Sequence, residues 1–236
     1  MTETARDFRA PAPRAGERQQ LREEVATYVR ELILSGGVRP GEFLRMERIA
    51  EAVGVSNTPV REGLLTLSNE GVVRLVPNRG FLVESFSPQD VRDLFWAQAQ
   101  LAGELAARAA KNVTPELIQR LEDMTELNEA AVKSRDTERI GELGHAFHRE
   151  INRAADSPRL AHLLASMVSQ LPNRFYATLE GHLPETRHEH PALLDALRAG
   201  NGKRASQLME EHILHGAEHL VRILEARGLW DASTEA

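Results

Sequence analysis

The residues of this sequence best equipped for chemistry are its nine histidines, all of which lie between positions 145 and 219. Helical periodicity places His148, His190 and His212 on the apolar sides of their segments. Neutral imidazoles that converge inside a helix bundle are good ligands for a zinc-like divalent ion. For any single one of them, an ordinary histidine satisfied in a core or exposed to solvent is the better interpretation. Spacing alone does not show convergence, so both interpretations stay open.

A second candidate site lies in residues 54–71, which read GVSNTPVREGLLTLSNEG. Ser56 or Thr58 is suited to cap a helix there, and Pro59 falls in its first turn, where the missing N–H costs nothing. The leucine-rich face of that helix must pack inward, which leaves the polar residues at its start exposed. Arg61 is then placed to reach a guanine edge or a phosphate of DNA.

The elements around this stretch predict how it is presented. An amphipathic helix covers residues 18–35, GGVRPGE ends it, and a short helix over 46–54 leads into the stretch. After Gly71, two β-rich runs flank the turn PNRG and predict a hairpin. Together these elements predict a winged helix-turn-helix, whose second short helix enters the DNA major groove. The pattern alone also occurs in proteins that bind no DNA. The residues predicted to contact DNA are Arg48, Ser56, Asn57, Thr58, Arg61, Arg79 and Gly80, with Arg79 at the tip of the wing.

From residue 85 onward the sequence predicts helix after helix. Ser87 and Asp90 form a capping pair, and Pro88 suits the first helical position. Short breaks between the helices imply antiparallel neighbours in a bundle. The predicted fold class is mostly α, with domains at 18–85 (winged helix-turn-helix) and 86–228 (antiparallel all-helical bundle). The approximate helices are 88–111, 114–134, 136–155, 158–180, 187–199 and 202–227.

Composition restricts the alternatives. The sequence has no cysteine, which excludes disulfides, thiolate nucleophiles and cysteine zinc sites. No apolar run approaches the ~18 residues that span a bilayer. Residues 1–17 lack the apolar core of a signal peptide and predict a mobile arm, and 229–236 a C-terminal tail. We therefore expect a cytoplasmic protein without a membrane partner. The net charge of −6 does not exclude DNA, because residues 1–85 hold 12 arginines against 12 acidic residues.

Several motifs in the first third resemble the DNA-binding domain of GntR-type bacterial transcription regulators. They are VRPGEFL, IAEAVGVSNTPVREGLLTLSNEGVV and PNRGFLV, in order and with the spacing of that family. The resemblance implies a DNA-binding function for residues 18–85. The family usually has arginine at Asn57 and alanine at Gly63. Gly63 is expected to cost the helix about 1 kcal/mol relative to alanine, and Asn57 favours an adenine edge or a phosphate over guanine.

Three motifs in the remainder resemble the all-helical effector domain of the FadR branch of that family, called FCD. They are FHREINRAADSPRL, EHPALLDALRAGN and ASQLMEEHI. In much of that family one aspartate and three histidines bind a metal beside an organic-acid pocket. The resemblance carries the three histidines over to His148, His190 and His212, as ligands of a divalent ion with zinc the first choice. The aspartate position is Gly144, so His145, water or the effector is left to fill it.

The same resemblance directs attention to residues for the organic acid. An arginine and a glutamate typical of the first bundle helix appear here as Gln98 and Ala102. His215 follows His212 by one helical turn and suits either a pocket or an exposed face. Arg174 is the best remaining cation for an anion, although a solvated or ion-paired state is commoner for such an arginine. The predicted effector-binding residues are Gln98, His145, Arg174 and His215.

These expectations describe a transcription regulator that responds to a small organic acid. A homodimer is expected, because two-fold symmetric operators are read by two-fold symmetric proteins. A regulator that senses the metal itself is an alternative. Three histidines around a metal with an open position also form a hydrolase or lyase pattern. That enzyme interpretation leaves the winged helix unexplained, so we expect no enzyme activity.

Overall fold

A computed structural model of the protein describes residues 15–172 and 186–230. The chain folds into two compact units. The first unit holds the residues up to Ile33 together with Pro40–Glu84, and the second holds Leu34–Arg39 together with the residues from Ser85 onward. Most of the predicted arm (1–17) and of the predicted tail (229–236) lies outside the described residues.

The first unit contains three helices and a small antiparallel sheet. Helix α1 begins at Ala15, three residues earlier than predicted, because alanine and the acidic Glu17 favour a helical first turn. Strand β1, which the sequence analysis missed, pairs with β3, so that the sheet has the order β1-β3-β2. The elements are α1 (Ala15–Leu34), β1 (Phe43–Leu44), α2 (Met46–Val53), α3 (Asn57–Asn69), β2 (Val73–Val76) and β3 (Gly80–Val83).

Local sequence explains the turn between α2 and α3. Gly54 ends α2 in the left-handed conformation, with φ of 77°, and its N–H donates to the carbonyl of Ala50. Ser56 occupies the N-cap position of α3, but within the described residues its side chain makes no capping hydrogen bond. Thr58 lies inside the helix, so the prediction that one of these two hydroxyls caps α3 is wrong. Burial of the inward face therefore holds the start of α3, through fully buried Val60, Leu64 and Leu67.

The second unit, as described, is helical throughout. Four of its helices have a capping side chain: Ser87 with Asp90 forms the predicted capping box, and Thr114, Asp136 and Asn201 each accept a backbone N–H. None of the described helices is long and apolar enough to cross a membrane. The helices are α4 (Pro88–Ala109), α5 (Pro115–Ser134), α6 (Thr137–Ala154), α7 (Pro158–Val168), α8 (Thr186–Arg198) and α9 (Gly202–Ala226).

Helix α7 is shorter than the predicted helix over 158–180. It ends at Val168, after which Gln170 and Leu171 make tighter bonds to carbonyls three residues back. Pro172 explains this end, since proline offers no N–H and disfavours the helical conformation of the residue before it. The end of the predicted helix from residue 173 onward lies outside the described residues.

The main core of the second unit brings the histidine-bearing helices together. Phe147, Leu193 and Met209 are fully buried in one apolar cluster, and each lies within one helical turn of a histidine on its own helix. Full burial of such a side chain contributes about 1.5–3 kcal/mol. The same packing that stabilises this unit therefore sets the positions of His148, His190 and His212.

The residues before the predicted tail are packed against this unit. The Trp230 indole N–H donates to the carbonyl oxygen of Phe86 over 2.8 Å, and the two rings meet edge to face with centroids 5.8 Å apart. Leu229 and Trp230 also pack against an apolar cluster that includes Phe95 and Leu224. The tail predicted from residue 229 thus contains at least two residues that belong to the fold.

Candidate functional site

The structure brings His148, His190 and His212 together from α6, α8 and α9. One nitrogen from each imidazole lies within 4.8 Å of the other two. His190 and His212 are buried, at 4% and 8% exposure, and His148 is half-buried. Three imidazoles at this separation, on three different helices, form a compact set of possible metal ligands.

Ring packing holds the imidazoles in place. The Phe147 ring stacks on His190, with centroids 4.4 Å apart and an interplanar angle of 21°. His148 stacks on His212 at 5.0 Å and meets His190 edge to face at 5.5 Å. Each ring is therefore oriented by an aromatic neighbour before any ligand binds.

Glu189 lies behind this cluster and was missed by the sequence analysis. One carboxylate oxygen is 2.8 Å from Nδ1 of His212, and the other is 2.6 Å from Nδ1 of His215. Burial raises the pKa of Glu189, but the hydrogen bonds from both histidines outweigh it and hold the pKa below its ordinary value. The residue is therefore a carboxylate that accepts from both rings. Its only sequence signal is its place directly before His190.

Two histidine nitrogens face each other inside the cluster. With Nδ1 of His212 facing Glu189, its Nε2 faces Nε2 of His148 at 3.1 Å. These two nitrogens point to the same place, where a metal ion would accept both lone pairs. The three imidazoles are ligands that suit a zinc-like ion. One of them, His212, also contacts a carboxylate through its other ring nitrogen, as metal-binding histidines usually do.

The other residues predicted for the second unit occupy different surroundings. The group of mutually close ligand atoms found among the described residues does not include His145. Gln98 is buried in α4 at 1% exposure, and His215 is exposed on α9 apart from its bond to Glu189. Arg174 lies outside the described residues. His215 is thus connected to the cluster through the Glu189 carboxylate. The contacts of these residues with an effector stay predictions.

The residues predicted to read DNA lie on the surface of the first unit. Ser56 and the first turns of α3, with Asn57, Thr58 and Arg61, are exposed, and so is Arg48 on α2. Backbone N–H groups at this helix start and the Arg61 guanidinium provide donors for phosphate and base edges. The surface has the composition of a DNA-reading helix.

The wing places its arginine more firmly than a free loop does. Gly80 follows the turn with φ of 104°, and the Arg79 guanidinium lies over the Phe43 ring, 4.6 Å from its centroid. This cation–π contact joins the wing to β1. Phe43 is therefore a second residue that the sequence analysis missed, because β1 has only two residues and forms no periodic pattern.

Comparison with known families assigns both units. Residues 21–83 match the model of bacterial regulatory proteins of the gntR family, and residues 93–215 match the FCD domain. The chain belongs to the GntR family of regulators with an FCD domain. It is therefore a DNA-binding transcription regulator, and the predicted fold class is confirmed.

The similarity to other proteins covers most of the length of this GntR-family regulator. The HTH-type transcriptional regulator YdhC of Bacillus subtilis is 29% identical over 205 residues, covering 84% of this chain and 89% of that protein. The HTH-type transcriptional repressor RspR of Escherichia coli is 22% identical over 214 residues, covering 90% and 94%. The solved structure of E. coli McbR/YncC covers 88% of this chain and 98% of its own, with a TM-score of 0.63 and 22% identity, and shows the same fold.

The regulator departs from its family at Gly63 for a reason that the sequence did not show. A Cβ at this position would lie 2.7 Å from Cγ1 of Val25 and 2.9 Å from the carbonyl oxygen of Arg22. Both contacts are too short, and the backbone oxygen cannot move aside alone. Glycine thus permits α1 and α3 to approach closely, so the expected gain from alanine is opposed by overpacking.

Proposed function

We propose that this regulator is a homodimer that binds a two-fold symmetric operator and is controlled by a small organic acid bound beside a divalent metal. His148, His190 and His212 would hold the ion, with zinc the first choice. The approach of their ring nitrogens to within 4.8 Å, in a chain that also exposes a DNA-reading helix, carries this proposal. A metal supplies a Lewis acid that binds the carboxylate of an effector.

The charges around the cluster support an anionic effector. Three neutral imidazoles leave the +2 charge of the ion uncompensated among its direct ligands, since Gly144 offers no carboxylate. Glu189 contributes a negative charge, but through the His212 ring. An organic acid at the remaining position would complete the coordination, and we propose that Gln98, His145, Arg174 and His215 line the site.

The DNA-reading surface supports the dimer. A single α3 start with a single wing makes few base contacts, and regulators of this shape read two half-sites with two copies. Effector binding must then differ in affinity between DNA-competent and DNA-incompetent arrangements of the dimer to alter transcription. A sedimentation measurement that gives a monomer at micromolar concentration, with operator affinity unchanged, would remove the dimer from the proposal.

The decisive experiment titrates metal and acid separately. Operator duplexes are first obtained by selecting random DNA on the purified protein. Zinc is titrated against operator affinity, and small organic acids are then titrated at fixed zinc. Operator affinity that changes only in the second titration supports effector control, whereas a change with zinc alone supports a metal sensor. Elemental analysis after dialysis against zinc that finds no bound ion overturns the metal site.

Single substitutions connect each part of the proposal to its residues. His148→Ala should lose most of the bound zinc, while His162→Ala, an exposed histidine on α7, should retain it. Arg61→Ala should weaken operator binding by about 1–3 kcal/mol. Asn57→Arg should shift the base preference toward guanine at one operator position. An unchanged preference in the selected sequences would mean that Asn57 does not face a base.

A further inference from the structure

We propose that Glu189 is a positioning residue of the metal site, which holds His212 in the one tautomer able to bind the ion and supplies the negative charge that Gly144 does not. This inference rests on the proposed metal-dependent function. It assigns a role to a side chain that is not itself among the three converging ligands.

The geometry determines which nitrogen of His212 carries the proton. An ionised carboxylate only accepts hydrogen bonds, so the 2.8 Å contact with Glu189 requires an N–H at Nδ1 of His212. Nε2 is then left with its lone pair facing the cluster. Without this partner, a neutral imidazole is free to carry its proton on Nε2, where it would block the metal.

The Glu189 carboxylate is itself held from a second side. Its other oxygen accepts from Nδ1 of His215 over 2.6 Å, and the Glu189 side chain is only 14% exposed. His212 and His215 lie one turn apart on α9, while Glu189 lies on α8. The carboxylate therefore ties α8 to α9 directly beside His190, the ligand that follows it in the chain.

The lone pair left on His212 lies beside a second ligand of the cluster. Nε2 of His212 is 3.1 Å from Nε2 of His148. The tautomer that Glu189 fixes is therefore the one that His212 needs to share an ion with His148.

The test measures the tautomer and the metal affinity in the same full-length variants. In metal-free protein with ¹⁵N-labelled histidine, long-range ¹H–¹⁵N correlations report which ring nitrogen carries the proton. Zinc affinity is measured by competition with a chelator of known strength. Glu189→Gln keeps one accepting oxygen but removes the charge, and Glu189→Leu removes both. Glu211→Gln is the matched control, since it is exposed and directly precedes His212.

The expected order of zinc affinities separates the effect of the His212 tautomer from the effect of the Glu189 charge. Wild-type His212 should carry its proton on Nδ1. Glu189→Gln should weaken zinc binding by about 10-fold with the tautomer kept, and Glu189→Leu by up to about 100-fold with the tautomer changed. His215→Ala should have the smaller effect, and Glu211→Gln none.

Two outcomes would overturn the positioning role: a wild-type His212 protonated on Nε2, or Glu189→Leu binding zinc as tightly as wild type. If Glu189→Leu fails to fold, the wild-type tautomer and Glu189→Gln still decide. A wild-type protein that binds no zinc refutes the proposed metal function instead, a failure that elemental analysis identifies separately.

Discussion

The two units of this regulator build their functional surfaces in opposite ways. In the first, Ser56, Asn57, Thr58 and Arg61 come from one run of the chain, and a single helix start exposes them all. In the second, His148 and His212 touch although they are 64 positions apart, and a third helix supplies His190. A local surface needs only its own helix to exist, whereas an assembled cluster exists only when three helices pack.

This difference has consequences for substitution. Arg61 is exposed on α3, so changing it should alter DNA binding and leave the free energy of unfolding within about 0.5 kcal/mol. The histidine cluster, in which His190 and His212 are buried, lies beside the core that stabilises its unit. Metal binding at the proposed site would therefore be linked to folding, since an ion that binds only the folded state stabilises it.

The largest predicted effect is on the stability of the first unit. It would break the contrast between a local and an assembled surface, because it comes from a contact between residues far apart in the chain. Arg30 is 7% exposed and pairs with Glu70, 40 positions away, through contacts of 2.6 and 2.7 Å. Arg30→Ala leaves the partly buried Glu70 carboxylate without its cation. We therefore expect the free energy of unfolding to fall by about 3 kcal/mol. Hydrogen exchange followed by mass spectrometry should show faster exchange in α1 and α3.

The matched control is Arg74→Ala, which removes an exposed arginine paired with Glu84 in the hairpin. Exposed pairs contribute at most about 1 kcal/mol, so exchange should change little there. Equal effects of the two substitutions would mean that burial of the Arg30–Glu70 pair has no special weight.

The next effect sharpens the contrast from the other side. Zinc at 100 times its dissociation constant should raise the free energy of unfolding of the second unit by about 2.7 kcal/mol. Both tryptophans, Trp96 and Trp230, belong to that unit, so fluorescence-detected unfolding in urea follows it selectively. A chelator should reverse the gain, and so should acidification, because protons compete with the metal for imidazole. A zinc effect that persists in His148→Ala would place the ion elsewhere.

A smaller effect concerns the contact of α1 with α3. Gly63→Ala gains about 1 kcal/mol in helix propensity but places a methyl group against Val25 and the Arg22 carbonyl, and overpacking costs about 1–3 kcal/mol. We expect a net loss of about 1 kcal/mol, measured by hydrogen exchange in α1 and α3. Gly16→Ala is the control, since nothing lies within 4 Å of its added Cβ. If Gly63→Ala is more stable than the wild type, α1 and α3 can move apart by the small distance that the methyl group needs.

The smallest effect tests whether the DNA-reading surface is local throughout. Phe43→Leu keeps an apolar side chain in β1 but removes the aromatic face under Arg79. Operator affinity should fall by about 0.5–1 kcal/mol, the usual strength of an exposed cation–π contact. Arg79→Ala should remove that contact and reduce the salt dependence of binding by about one phosphate. If Phe43→Leu binds operator like wild type, the wing arginine needs no support from β1.

Elements defined by short-range patterns were predictable from the sequence. The capping box at Ser87, the helix end at Gly54 and the inward face of α3 depend on residues a few positions apart, and all three are confirmed. The errors have two different sources. The prediction carried helix α7 past Pro172, although proline is a local signal for such an end. Strand β1 was missed because Phe43 and Leu44 find their partners in β3, far along the chain.

The candidate site likewise combines residues that the sequence identified with residues that it did not. Its histidines were identifiable from apolar periodicity, and the family motifs pointed to the same three residues. Neither source identified Glu189, whose hydrogen-bond partners lie 23 and 26 positions away on another helix. Nor did helix propensity show that Gly63 is needed at the crossing of α1 with α3.

The sequence by itself determined the mostly helical fold, the winged helix and the exposed polar start of α3, because periodicity, caps and turns act over a few residues. Only the tertiary structure decided that His148, His190 and His212 meet, that Glu189 backs His212, and that Arg79 rests on Phe43. Those contacts join distant segments, and the distances within the histidine cluster follow from how side chains such as Phe147, Leu193 and Met209 fill a shared core. Packing of that kind depends on the shapes of all the neighbours at once, which no single stretch of the chain records.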